Sequence, residues 1–219
     1  MAQQSMYSPA VEAGSINKMV RNTYSLLGLT LLFSTVTAGV SMAMNLSHMV
    51  ALVMMLAAFG LLFVVNKKAD SASGLGWIFA FTGLMGASLG PMLNAYAALP
   101  NGPSLIMQAL GGTALIFFAL SAYAMSSKKD FSFMGGFLMV GLVVAIVASI
   151  ANIFLQIPAM SLAISAGMVL IMSGLILFDT SRIINGGETN YIRATVALYL
   201  DVFNLFVHLL HLLGVMNDD

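Results

Sequence analysis

Asp179 and Asp201 are the residues whose type and position most directly imply chemistry in this 219-residue chain, because each interrupts a long apolar stretch. An ionised side chain at the centre of a helix in hydrocarbon costs about 2.5 to 3.5 kcal/mol on insertion scales, which makes an intramembrane acid a candidate functional group by default. At a rise of about 1.5 Å per residue, Asp179 falls about 6 Å and Asp201 about 10 Å inside the same end of two successive helices. The connection from Asn185 to Arg193 is short, so these helices are antiparallel neighbours and the two carboxylates can share a depth. Carboxylates that close do not both ionise cheaply; they share a proton and titrate as a coupled pair. Such a pair can act as a pH-dependent latch, or hold a cation transiently when both acids are deprotonated. The structural alternative is that Asp179 pairs with Arg182 one turn on, and Asp201 with a neighbouring polar helix face.

The helix carrying Asp201 extends this pattern. Asp201, Asn204, His208 and His211 fall at i, i+3, i+7 and i+10, one stripe of a helix, which the small residues Ala197 and Ala194 continue. A stripe running from a carboxylate to two imidazoles can line an ion path or join helices by hydrogen bonds. His208 and His211, with His48 at the same outer face, lack a third and fourth ligand at a defined spacing. Hydrogen-bonded or interfacial histidines are therefore expected, not a metal site. Ser149, Asn152 and Gln156 share one face and are expected to form interhelical hydrogen bonds. Gly83, Gly86, Gly90 and Asn94 line one side of another helix for close packing, and Gly90-Pro91 should kink it, as a static bend or a hinge. The 18 methionines are scattered and read as flexible apolar filler.

The elements that must hold these residues follow from composition. Hydrophobic residues make up 60% of the chain, charged ones 7%, and the mean hydropathy is +0.97. A soluble domain carries about 25% charged residues, so this chain is a membrane protein. Its formal net charge is zero, which leaves no basic surface for nucleic acid. The absence of cysteine excludes disulfides, thiol catalysis and Cys-based metal sites.

Seven apolar runs are long enough to span a bilayer: Asn22 to Met44, His48 to Val65, Leu75 to Ala98, Ser104 to Met125, Phe133 to Leu155, Met160 to Ile184, and Ala194 to Leu213. The expected fold is an all-α bundle of seven transmembrane helices over residues 22–219, after a flexible, polar cytoplasmic tail at 1–21. All eight Lys and Arg fall at one end of the bundle, which by the positive-inside rule is cytoplasmic. That places the N-terminus inside and Asn217-Asp218-Asp219 outside. A six-span topology, with the last segment re-entrant because of Asp201, is the alternative. No cleavable signal is expected, since the first apolar run is too long. Lys67-Lys68-Ala69-Asp70 is echoed by Lys128-Lys129-Asp130, but alternating topology alone produces such basic pairs.

Enzyme templates do not fit. The sequence has no H-E-x-x-H, no G-x-S-x-G and no phosphate loop. An intramembrane aspartyl protease would also place two acids on adjacent helices, but it requires Tyr-Asp and Gly-x-Gly-Asp. The contexts here are Leu177-Phe178-Asp179 and Tyr199-Leu200-Asp201. A non-enzymatic protein with no resident cofactor is expected.

Four features together resemble the Bax inhibitor-1 family: seven spans, Gly86-Ala87-Ser88-Leu89-Gly90-Pro91, the acid ending span six, and Leu198-Tyr199-Leu200-Asp201. Within that family, Gly186-Gly187-Glu188-Thr189-Asn190-Tyr191-Ile192-Arg193-Ala194-Thr195 and Arg21-Asn22-Thr23-Tyr24 are similar to the bacterial YccA branch. The resemblance implies a bundle with the seventh helix central, in the bacterial inner membrane. It also implies two functions. In the YccA branch, the protein modulates the membrane-anchored AAA+ protease FtsH, with the Met1 to Asn17 tail available as a handle. In other bacterial members, an aspartate pair latches a pH-sensitive calcium leak. That role carries over to Asp179 and Asp201, with calcium as the transported species and Asn204 lining the path. The leak picture includes an arginine in span two. Here that span offers only Lys67 and Lys68, as point charges in its place.

Overall fold

A computed structural model describes the backbone of residues 9–127 and 129–216 and the side chains from Gly14 onward. The described residues form helices and no strand: α1 (Pro9–Ala43), α2 (His48–Lys68), α3 (Gly74–Ser88), α4 (Gly90–Ala97), α5 (Gly102–Ser127), a 3-10 turn (Ser132–Met134), α6 (Gly135–Leu155), α7 (Pro158–Ile184) and α8 (Tyr191–Met216). Seven segments are long and apolar enough to cross a membrane, with α3 and α4 together making the third and α8 the seventh. The last segment is one continuous helix, so the six-span alternative falls.

One boundary differs from the sequence reading, and one break follows it. Helix α1 begins at Pro9, inside the stretch expected as a tail, and Met19 and Val20 pack on the main core. A helix does not stop where the bilayer stops, so hydropathy alone misplaces such an end. The third span is broken at Leu89, as the Gly90-Pro91 pair led one to expect. Pro91 has no N–H to continue the helix ladder, and Leu89 N turns back to Gly86 O at 3.0 Å.

The other helix ends have local causes. The Ser47 hydroxyl accepts from Val50 N at the start of α2. Asn190 Oδ1 accepts from Ile192 N at 2.9 Å and Arg193 N at 3.1 Å, capping α8. Gln156, at φ 52°, closes α6 in the left-handed region, and Pro158 opens α7.

Apolar burial drives little association between helices in lipid, so close backbone approach and hydrogen bonds must do it. The α1–α3–α4 seam shows both. A Cβ at Gly86 would collide with Ser34 and Thr37, and one at Gly90 with Ser41. Asn94 Nδ2 donates to Met42 O at 3.0 Å and to Asn45 Oδ1 at 3.2 Å. Deeper in, the Ser34 and Tyr199 hydroxyls lie 2.6 Å apart, and both reach Thr82 O, at 3.0 and 3.2 Å. Two hydroxyl protons thus serve three close contacts joining α1, α3 and α8.

Helix α8 packs on α7, α5 and α1, and more narrowly on α3 and α2. Helix α6 packs on α7 and the 3-10 turn. At the basic end the loops are tied together. Arg193 Nη2 meets Asp70 Oδ2 at 2.6 Å, and Asn190 Nδ2 donates to Asp70 Oδ1 at 2.7 Å and Ala69 O at 3.0 Å. Asp130 accepts from Ser132 N at 2.8 Å, and that bonding to Ser132 holds its carboxyl below the usual carboxylate range.

Candidate functional site

Helices α7 and α8 are joined by the turn from Asn185 to Asn190 and run antiparallel, which brings Asp179 and Asp201 face to face within side-chain hydrogen-bonding reach. Asp201 is 4% exposed, and its Oδ2 meets no N–H or hydroxyl donor. The group opposite it is the Asp179 carboxyl. A buried oxygen without a donor is costly, and a proton held between two carboxyls is the partner this geometry can supply.

The structural alternative is present as well. Arg182 Nη1 lies 3.6 Å from Asp179 Oδ1, and Arg182 Nη2 lies 3.8 Å from Glu188 Oε2. The guanidinium also sits over the Phe178 ring, 5.5 Å from its centroid. Arg182 therefore stands between a half-buried acid and a loop acid. Glu188 is fixed in turn, because its Oε1 accepts from Thr189 N at 2.9 Å and Asn190 N at 2.8 Å. The sequence reading had not singled out Glu188. Its signal was an acid six residues beyond Arg182 in a Gly-Gly turn that folds back on the helix end.

Both aspartates line a cavity of about 720 Å³, together with Arg182 and Asn204. Its apolar wall includes Met55, Met85, Met139, Met168 and Met172 from four helices. Helices α2 and α6 both contribute to this wall, through Met55 and Phe59 and through Met139, Leu142 and Ile146. The Asn204 amide donates to Leu200 O at 2.8 Å. Lys67 and Lys68 end α2 outside this lining and are not brought to the acids. The cation facing Asp179 is Arg182, on its own helix, where the fixed spacing of one helical turn does what a lysine on α2 would need a longer reach to do.

At the opposite end, His208 and His211 line a second cavity, of about 490 Å³, with Ser161 and Ser165 of α7, Ser149 and Asn152 of α6, and Tyr96 of α4. Both imidazoles bond to the Ser165 hydroxyl, at 3.2 Å from His208 and 2.9 Å from His211. His48 opens α2, is exposed, and does not line this cavity. Among the described residues no three His, Asp or Glu gather as a metal site would require. The polar face of α6 corrects the sequence reading. Ser149 Oγ donates to Ala145 O in its own helix, and Asn152 Oδ1 accepts from Ile157 N in the next turn. Local backbone acceptors and donors are nearer than any other helix, and they take these side chains first. Sequence reasoning also missed Ser161 and Ser165, which stand at i and i+4 on α7 facing the histidines.

Comparison with known proteins bears on what these cavities serve. Residues 16–218 match the family described as inhibitor of apoptosis-promoting Bax1. An uncharacterized membrane protein of Vibrio cholerae is 57% identical over 204 residues, covering 93% of this chain and 92% of that one. The modulator of FtsH protease YccA of Escherichia coli K12 is 51% identical over 205 residues, covering 94% of this chain and 93% of that one. At the same identity and coverage, the counterpart in Escherichia coli O6:H1 is named an inner membrane protein.

Proposed function

The chain belongs to the family of the inhibitor of apoptosis-promoting Bax1, the Bax inhibitor-1 family, and on that premise we propose that it modulates an FtsH-type membrane protease. The observation that carries this reading is 51% identity, over 94% of the chain, to the Escherichia coli protein named as a modulator of FtsH. The protein acts without catalysis of its own, as a multi-pass inner-membrane protein that inhibits the protease or competes for it. The basic end, with Lys18, Arg21, Lys67, Lys68, Arg182 and Arg193, faces the cytoplasm and the C-terminus faces outside. The segment Met1 to Asn17 serves as the handle for the protease.

The test is turnover in cells with and without FtsH, for the full chain and for a chain lacking Met1 to Asn17. The expected result is FtsH-dependent loss of the full chain, stabilisation on deletion, and co-isolation of the protease with the full chain. Turnover indifferent to FtsH, with no co-isolation, would overturn the reading.

A second role rests on a specific observation: Asp179 and Asp201 face each other in a cavity of about 720 Å³, with one buried oxygen lacking a donor. We propose that this pair is a proton-holding latch on a calcium or other cation leak, with Asn204 lining the path and Arg182 as the counter-charge. Deprotonated, the two acids offer hard oxygen ligands of the kind calcium takes, and the cation binds there transiently as cargo. Calcium flux into proteoliposomes across about pH 5 to 8, the range a proton-gated site must sense in a cell, checks it. Flux that Asp201→Asn changes in size and pH dependence is expected. Flux no greater than in empty liposomes would remove the role.

A further inference from the structure

The cavity around His208 and His211 holds a hydrogen-bonded chain that plays no part in either role above. Ser165 Oγ lies 2.9 Å from Nδ1 of His211 and 3.2 Å from Nδ1 of His208, and Nε2 of His211 lies 3.4 Å from Ser161 Oγ. A hydroxyl has one proton to donate and lone pairs to accept with. Set between two ring nitrogens, Ser165 can donate to one and accept from the other. In that arrangement two neutral imidazoles take opposite tautomers, one protonated at Nδ1 and its partner at Nε2.

That arrangement is what a proton relay needs, and we propose that Ser161, His211, Ser165 and His208 pass protons between the far end of the bundle and the aspartate cavity. The proposal rests on the reading of Asp179 and Asp201 as a proton-holding pair, and it adds their route of exchange.

The step balances without a co-reactant. A proton arrives at Nε2 of His211, handed on at the Ser161 end of the chain. The Nδ1 proton of His211 moves to Ser165 Oγ as the Ser165 proton moves to Nδ1 of His208. His208 then releases its Nε2 proton. Both rings end neutral with their tautomers exchanged, the serine has regained a proton, and one proton has crossed the chain. Transfer in the opposite direction, or rotation of the groups, restores the starting state.

The surroundings favour this use. The relay sits on the same face of α8 as Asn204 and Asp201, at i+7 and i+10 from the acid. The two cavities follow each other along the same three helices: Ile146 of α6, Met168 of α7 and Asn204 of α8 line the aspartate cavity, and Ser149, Ser165 and His208 come next in the other. Asn204 and His208 are one turn apart, about 6 Å along the axis, a gap short enough for one water to bridge. Apart from the two imidazoles, the titratable group in the far-end lining is Tyr96 of α4, and that lining holds no Asp, Glu, Lys or Arg.

The test is proton flux through the full chain in proteoliposomes, driven by a potassium diffusion potential and read with a trapped pH dye. Wild type is compared with Ser165→Ala, Ser165→Thr and Asp201→Asn. Removing one transfer group from a proton path costs about tenfold or more, so Ser165→Ala should lower the flux by that factor. Ser165→Thr, which keeps the hydroxyl, should retain it. Wild-type flux should also fall by about half or more in D2O, because protons move in the limiting step.

Flux equal in Ser165→Ala and wild type, or flux unmoved by D2O, would overturn the relay. If Asp201→Asn still changes the flux in that case, the aspartate latch stands without it. An absence of proton flux in wild type overturns the relay outright, and calcium flux measured in the same vesicles then decides the latch separately.

Discussion

The two sides of this bundle are built on opposite principles. Along α1, α3 and α4 the backbones approach until glycine is required, with Gly86 against Ser34 and Thr37 and Gly90 against Ser41. Helix α6 lies at the periphery, packed on α7 and the 3-10 turn. Only 6% of the residues in the most apolar stretch of the fifth span are buried, against 44% in the third and seventh. The cavity holding Asp179 and Asp201 lies on this loose side, walled by flexible methionines. The side with the closest backbone approaches has no room for chemistry, and the aspartate cavity lies on the other. A protein that must hold a buried acid pair near an opening gains from this division, because the open side can move without loosening the seam.

The strongest way to break the comparison is at the seam. Gly86→Leu forces a side chain into Ser34 and Thr37, and the backbone O of Ser34 cannot rotate away. A loss of about 3 kcal/mol, the upper part of the range for overpacking, is expected in thermal unfolding of the purified protein. A loss near zero would show that α1 and α3 are free to separate. Tyr199→Phe should cost less, about 1 to 1.5 kcal/mol. It removes one of the two protons shared with Ser34 and Thr82 O but leaves the ring packed against Phe81. Ser34 keeps its bond to Thr82 O, so the carbonyl is not orphaned.

Asn190→Ala sharpens the comparison at the basic end, where the loose side is tied back. Its Oδ1 caps α8 and its amide reaches Ala69 O and Asp70 across the bundle. Loss of a cap costs about 1 kcal/mol, and the same unfolding measurement should show it. Hydrogen exchange should rise first in the first turn of α8, since local opening begins where bonds are removed.

The aspartate pair was legible in the sequence because its geometry is local. Two helices joined by a short turn must be antiparallel, and a fixed rise per residue then sets the depth of each acid. Arg182 was legible for the same reason, one turn from Asp179. The small-residue face of Gly86 and Gly90 was legible because Gly83, Gly86, Gly90 and Asn94 recur three and four residues apart, on one side of a helix. The surroundings of the site were not. Core and lipid are equally apolar to a membrane helix, so hydropathy carries little record of which face of α2 or α6 turns inward. Met55 and Met139 could not be assigned to the cavity, and Lys67 and Lys68, offered in place of an absent arginine, lie outside its lining, because their approach depends on how whole helices are placed. The histidines were expected to be hydrogen-bonded, and they are. That a single serine bridges both rings depends on α7 and α8 being in register, which no spacing within either helix reveals.

The smallest expected effect tests the loose side itself. Val147 on α6 is 60% exposed and faces away from α7. Val147→Ala removes two methyl groups from a largely exposed side chain. In a folded core that deletion would leave a cavity and cost well over 1 kcal/mol; at this position lipid or detergent fills the space, and the change should stay within about 0.5 kcal/mol. The measurement is most informative if made twice, on protein purified alone and on protein in native membrane vesicles. A loss above about 1 kcal/mol in both would mean that the outer face of α6 packs on a second copy of the chain. A loss confined to native membranes would mean that another membrane protein covers it. In either case the bareness of α6 would be an interface waiting for its other half, next to a helix that helps line the aspartate cavity.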